Sequence, residues 1–220
     1  MGKTAIILGA TGLTGNLLLQ NLLEDEKYSK IKLFSRTTCG IHHEKIEEHL
    51  INLFDLEKVE NLFTGDEVFC CIGTTQVKTP DKDMYFKIDF GIPVNASELC
   101  KLNNIDTFIV ISALGADKNS SIFYNKTKGK MEEAVLEKNI KHTYILQPSL
   151  IAGDRNEKRS GEFIAKQIMK IANPFLLGSL KKYKSISPEE ITNCMKWLAN
   201  NEFKSGRIIS DQIKHIVNKA

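Results

Sequence analysis

Apolar and polar positions change rhythm several times along the chain, and each change marks an element. Residues 4–8 (TAIIL) form a short apolar, β-branched run closed by a glycine. A strand that is apolar on both of its alternating faces is buried on both, as in a parallel sheet. Between Leu13 and Leu23 the apolar residues fall at 13, 17, 18, 19, 22 and 23, a helical spacing, before the charged break Glu24-Asp25-Glu26-Lys27. Residues 31–35 give a second strand and 49–54 a third, followed by a short helix from 55 to about 63. A fourth apolar strand covers 67–72, a helix 89–102, a fifth strand 107–112, a helix 124–138 and a sixth strand 142–146. Six strands alternating with helices predict an α/β Rossmann fold, a doubly wound and mostly parallel sheet flanked by helices, with strand order 3-2-1-4-5-6.

After Pro148 the alternation loosens. Residues 161–171 and 188–200 read as helices, 183–186 and 207–209 as short extended pieces, and 211–219 as a last helix. We therefore expect one domain over 1–220, with a nucleotide-binding core over 1–150. The remaining 151–220 are too few for a second domain of ordinary size but enough to cover a substrate pocket.

Composition narrows the function classes. The 220 residues are 42% apolar and 26% charged, which suits one sizeable soluble core. A net charge of +3 without long same-sign runs lacks the footprint of a nucleic-acid or membrane-surface binder, so any phosphate recognition must be local. No apolar run approaches the ~20 residues of a membrane span, and the start of the chain lacks the apolar core of a secretory leader. Cys39, Cys70, Cys71, Cys100 and Cys194 show no metal-binding spacing and read as reduced, structural thiols. His42, His43, His49, His142 and His215 likewise lack ligand company, so no metal is expected. These features together predict a cytoplasmic protein, monomeric or homodimeric, acting on a small molecule.

The strongest single motif is Gly9-Ala10-Thr11-Gly12-Leu13-Thr14-Gly15, where the first strand ends and the first helix begins. Gly9 permits the tight turn, Gly12 lets a pyrophosphate approach the backbone, and Gly15 lets the helix pack closely, while the helix N-terminus offers amide donors. Strand before and helix after make this a nucleotide site rather than a chance cluster of glycines. About 20 residues on, where an NAD-selecting fold carries an acidic residue for the ribose, stands Ser35-Arg36. A guanidinium pairs with a 2′-phosphate that a carboxylate would repel, which favours NADP(H) over NAD(H). Asp55, beside Leu56, can accept from the adenine amino group or simply cap the following helix. Gly73, Thr74 and Thr75 close the fourth strand at the same crevice, where glycine allows close approach of a ligand.

Candidate catalytic groups follow. Tyr124 and Lys128 are four apart at a helix start and share a face. An ammonium near a phenol favours the phenolate, making Tyr124 a proton donor or acceptor near neutral pH. Ser112 ends the fifth strand, faces the crevice and can polarise a substrate carbonyl.

With these residues in order, the chain resembles the atypical short-chain dehydrogenases/reductases, and within them the small Tat-interacting-protein-like group. GATGLTG, CIGTT, SALGAD, FYNKTKGKMEE and QPSLIAGDR carry the resemblance, which covers nearly the whole chain. It implies an NADP(H) site and a Ser-Tyr-Lys triad at Ser112, Tyr124 and Lys128, the lysine also holding the nicotinamide ribose. It further implies that Pro148-Ser149-Leu150-Ile151 packs near the nicotinamide. Two positions depart: Asp89 stands where many members have a relay asparagine, and Gln147 where close relatives often have arginine. Arg155 and Arg159 can meet an anionic substrate or form a solvated loop. The resulting expectation is hydride transfer to or from a small carbonyl or alcohol. An NADP(H)-binding regulatory or sensor protein, and an NADPH-dependent flavin or quinone reductase, are the alternatives.

Overall fold

The computed structural model describes residues 2–152, 183–204 and 206–219. Seven strands, β1 Lys3–Leu8, β2 Tyr28–Ser35, β3 Ile46–Leu50, β4 Glu67–Cys70, β5 Thr107–Ile111, β6 His142–Gln147 and β7 Gly206–Ile209, form one sheet in the order β3-β2-β1-β4-β5-β6-β7. Every pairing is parallel. The predicted 3-2-1-4-5-6 order is present and extended by one strand.

Alternation along each central strand divides the core in two. Ala5 and Ile7 of β1, Phe69 of β4, Ile109 of β5 and Tyr144 and Leu146 of β6 face one layer. Their neighbours Ile6, Leu8, Val68, Cys70, Phe108, Val110 and Ile145 face the other. Both faces are therefore dry, which is why these strands read as unbroken apolar runs. The first layer holds α1 Leu13–Leu23, α5 Pro188–Asn200 and α6 Ser210–Val217. The second holds a 3₁₀ segment Leu53–Leu62, a long helical stretch and α4 Phe123–Leu136. That long stretch runs as α2 Lys82–Phe86, a π-helical turn Lys87–Gly91 and α3 Ile92–Leu102.

Several bounds change: the fourth strand ends at Cys70, and the helix expected over 89–102 is the later part of the stretch that begins at Lys82. The third strand is 46–50, not 49–54, because IEEHL is an edge strand: its charged side chains face water, and Lys30 of β2 pairs with Glu47 at 2.8 Å. The element after it is 3₁₀ rather than α, and its N-cap is Asn52, whose side chain accepts from Phe54 N; Asp55 lies inside the element with non-helical angles.

Of the C-terminal stretch expected to cover a pocket, 153–182 lie outside the described residues. Its described part, 183–219, is built into the layers of the sheet. Ser187 and Glu190 form a capping box at the start of α5, and Ile191, Cys194, Met195 and Leu198 bury that helix in the layer that holds α1. Trp197 is half-buried against Phe203. The predicted helix 161–171, Arg155, Arg159 and Met169 lie outside the described residues. The cysteines are free, with Cys70, Cys100 and Cys194 buried. Burial pushes the Cys70 thiol up to about 11, as suits inert packing.

Candidate functional site

The order of the strands reverses between β1 and β4, and a crevice at the carboxyl ends of the strands is expected at that switch. The glycine motif stands there. Gly9 has φ of +87°, and a Cβ on it would meet Cys71 O at 2.9 Å, so only glycine turns here unstrained. A Cβ on Gly15 would fall 2.1 Å from Gly9 O, so the first turn of α1 is pressed against the loop as the motif requires. Gly12 N donates back to Gly9 O at 3.0 Å, and Gly12 caps α1 without a side-chain hydrogen bond. The amides of Leu13 and Thr14 thus open α1 with no side-chain acceptor over them. A loop with no Cβ at Gly9 and Gly12, at a helix start without a side-chain cap, fits the pyrophosphate of a dinucleotide.

The end of β2 supplies the next candidates. Ser35 is buried and donates to Thr37 O at 2.8 Å, which turns the chain and leaves Arg36 exposed. Asp55 pairs with Lys58 at 3.2 Å and accepts from Asn52 Nδ2. Leu56 is fully buried, a core residue that offers no side-chain surface to a ligand.

Around the end of β4 the structure brings Gly73, Thr74, Asp89 and Lys128 together. Lys128 Nζ lies 2.8 Å from Asp89 Oδ1 and 3.5 Å from Ile111 O, while Asp89 Oδ2 accepts from Thr74 N at 2.7 Å. Both charged side chains are almost wholly buried. A Cβ on Gly73 would sit 3.6 Å from Asp89 and 3.8 Å from Lys128, so the glycine lets the strand end lie directly on the ion pair. Burial works to lower the Lys128 pKa, but Asp89, helped by Tyr124, holds it above the ordinary lysine value. Asp89 belongs to the π-helical turn, a local widening that recurs at functional sites. Thr74 is held further, its hydroxyl on Thr79 at 2.8 Å and its carbonyl accepting from Tyr85 at 3.4 Å. Thr75 O accepts from Lys78 N and Thr79 N.

Ser112 is in a different environment from the one its position suggested. It is 4% exposed and its hydroxyl donates to Glu132 of α4. Glu132 is fully buried and also accepts from Gln147 Nε2 at 2.9 and 3.0 Å and from Arg207 Nε at 2.6 Å. Arg207 continues to Glu133 at 2.7 Å, and Glu133 to Lys118 at 3.1 Å. With Ser112, Gln147 and Arg207 all donating to Glu132, the Ser112 proton is directed to that buried carboxylate.

Tyr124 opens α4 with 37% exposure, one turn before Lys128. Pro148 O accepts from Leu114 N, and Leu150 O from Ile186 N, so the loop after β6 is held between the Ser112 segment and residues 184–186. Sequence reasoning missed Glu132 and Arg207. The signal was available for Glu132: positions 128, 131, 132 and 135 make one buried face of α4, and a carboxylate on an apolar face implies a buried partner. Gln147, noted as a departure, is one of its donors, and Arg207 gives the guanidinium from β7.

The chain matches the model of the NAD(P)H-binding family over residues 9–168. It is 32% identical over 169 residues to Protein HTATIP2 of Rattus norvegicus, covering 75% of this chain and 69% of that protein. It is 31% identical over 185 residues to Protein FMP52, mitochondrial, of Candida glabrata, covering 81% and 76%. In fold it is similar to WbmH of Bordetella bronchiseptica in complex with NAD+, with a TM-score of 0.73 at 13% identity, covering 99% of this chain and 80% of that one. The expectation of a cytoplasmic protein is overturned by several relatives whose names place them in mitochondria. It rested in part on cysteines read as reduced, which does not distinguish the cytosol from an organelle. The glycine cradle at the β1 end and the match across the whole nucleotide-binding core establish that this chain belongs to the NAD(P)H-binding family.

Proposed function

We propose that the protein is an NADP(H)-dependent oxidoreductase of the short-chain dehydrogenase/reductase type, acting on a small carbonyl or alcohol. The observation that carries this reading is Tyr124 one helical turn from a buried, charged Lys128, against Gly73 at the crevice that also holds the glycine cradle. When bound, the nicotinamide supplies or accepts the hydride. Leu13 and Thr14 N–H groups and the Gly9 to Gly15 turn hold its pyrophosphate, and Gly73, Thr74, Thr75, Pro148 and Leu150 line its nicotinamide half. Arg36, exposed past Ser35, meets the 2′-phosphate and favours NADP(H). Tyr124 gives its phenolic proton to the substrate oxygen, or takes one from it, and Lys128 steadies the phenolate. Ser112, its proton held by Glu132, meets a substrate hydroxyl as an acceptor. The protein acts as a monomer or homodimer, and the naming of its yeast relatives supports a mitochondrial location.

The same Ser112 contact favours a second reading, an NADP(H)-binding regulatory protein, because the hydroxyl that would stabilise an oxyanion is already committed. NADPH and NADH fluorescence titrations, with turnover on aldehydes, ketones and quinones, separate the two. Under the oxidoreductase reading Tyr124→Phe loses about 10²–10⁴-fold in turnover and keeps its NADPH affinity. Unchanged turnover removes Tyr124 from the mechanism, and tight NADPH binding without any turnover supports the regulatory protein.

A further inference from the structure

Asp89 is a buried acid that the proposed triad does not use. Its two oxygens are divided between two elements, Oδ1 on Lys128 of α4 and Oδ2 on the backbone N–H of Thr74. The π-helical turn gives the reason it reaches both, since widening the helix at 87–91 turns Asp89 inward to complete burial. Phe86 and Phe90, stacked at 4.5 Å, flank it within the same turn.

We propose that Asp89 is a positioning residue that pins Lys128 and offsets its charge, so that Tyr124 faces a neutral ion pair and enters the reaction as a protonated phenol. This rests on the oxidoreductase reading for its consequence in catalysis, but the electrostatics stand on the geometry alone. A bare ammonium beside a phenol draws off its proton; an ammonium 2.8 Å from a carboxylate presents a dipole whose field falls away much faster. Lys128 has three N–H donors. Its Nζ lies 2.8 Å from Asp89 Oδ1 as an ion pair without an aligned hydrogen bond, and 3.5 Å from Ile111 O, so charge rather than a directed donor ties it to Asp89. The ionisable groups acting on Lys128 are Asp89, Tyr124 and Cys70, and those acting on the neighbouring Tyr85 are Asp89 and Tyr124. Asp89 is the one acid among them, so removing its charge leaves Lys128 uncompensated. The phenol is the form that donates to a carbonyl oxygen, so the free enzyme at neutral pH is set for the reductive half of the reaction.

The test needs no substrate. Phenolate absorbance near 295 nm is followed against pH in the native protein, in Asp89→Asn and in each with Tyr124→Phe added, so that the difference isolates Tyr124. The isosteric amide keeps an oxygen for Thr74 N–H while removing the charge. The Tyr124 midpoint is expected to fall by about one pH unit or more in Asp89→Asn. A second neutral variant, Asp89→Ser, gives the same comparison should the amide disturb folding. Folded variants whose Tyr124 midpoint equals that of the native protein would overturn the proposal and leave Asp89 as a loop tether. Failure of the oxidoreductase reading shows elsewhere, as turnover indifferent to Tyr124→Phe.

Discussion

Glycine to alanine inside a helix normally stabilises it, by about 1 kcal/mol. Gly129, in the middle of α4, is predicted to do the opposite. A Cβ built on it lies 2.2 Å from the backbone of both Asp117 and Lys118, so the loop crossing α4 must retreat by more than 1 Å to restore ordinary contact. That loop is not free to move: Asp117 N donates to Asn125 O at 3.0 Å and Lys118 pairs with Glu133 on the same helix. Forcing a packed backbone apart costs about 1–3 kcal/mol or more, and taking the upper half of that range against the helix gain leaves Gly129→Ala destabilised by about 1–2 kcal/mol. For a chain of this length that is a fall of about 2–8 °C in Tm. Gly91 is the internal control, since it has helical angles and a Cβ there meets nothing within 4 Å. Gly91→Ala is expected to gain about 0.5–1 kcal/mol. Urea unfolding followed by circular dichroism reads both. Gly129→Ala at or above native stability would refute the close approach of loop and helix; equal losses at both positions would refute the contrast.

Two further outcomes follow from single groups. Arg36→Ala should weaken NADPH by about 10- to 100-fold, the worth of charge-assisted hydrogen bonds to a phosphate, and leave NADH unaltered; equal losses for both cofactors in fluorescence titration would place the 2′-phosphate elsewhere. Glu67 is 1% exposed and shares its carboxylate between Lys3, at 2.7 Å, and the Tyr28 hydroxyl. Burial lifts its pKa above the ordinary 4.5 even against those two partners, so the fold binds its proton more tightly than the unfolded chain does. Its contribution to stability is therefore full below about pH 4.5 and declines as pH rises through the folded value. Urea midpoints of the native protein should fall relative to Glu67→Gln across that window, and a gap that is constant or moves the other way would sink the assignment.

How far the sequence could be read depended on what each residue was answering to. The central strands answer to burial on two faces, and runs such as TAIIL and TFIVI declare it openly. β3 answers to an edge, where Glu47 and Glu48 are as good as any apolar residue, so the search for apolar runs moved the strand three residues too far along the chain. Gly9, Gly12 and Gly15 were legible because each spacing has one mechanical purpose. The partners of Lys128 and Ser112 were not legible, because Asp89 and Glu132 lie in helices whose local pattern gives no distance to a residue some 20 or 40 positions away. The strand at 206–209 was read as a short extended piece; its parallel pairing with β6 is a long-range choice that four residues cannot specify.

These partners change what a Ser-Tyr-Lys set means here. Two of its three members are each tied to a buried carboxylate, Ser112 by a hydrogen bond to Glu132, which also accepts from Gln147 and Arg207, and Lys128 by an ion pair to Asp89, whose other oxygen accepts from Thr74 N. Networks of this kind are rigid, since breaking any one bond exposes a charge to a low-dielectric interior. Tyr124, at 37% exposure, is the one of the three that is open to solvent. The arrangement thus fixes Ser112 and Lys128 through buried carboxylates. It also explains why α4 carries Tyr124, Lys128 and Glu132 together: one helix, clamped by Asp89 on one side and by Arg207 of β7 on the other, sets all three with respect to the strand ends. The C-terminal strand thus holds, through Glu132, the helix that carries Tyr124 and Lys128.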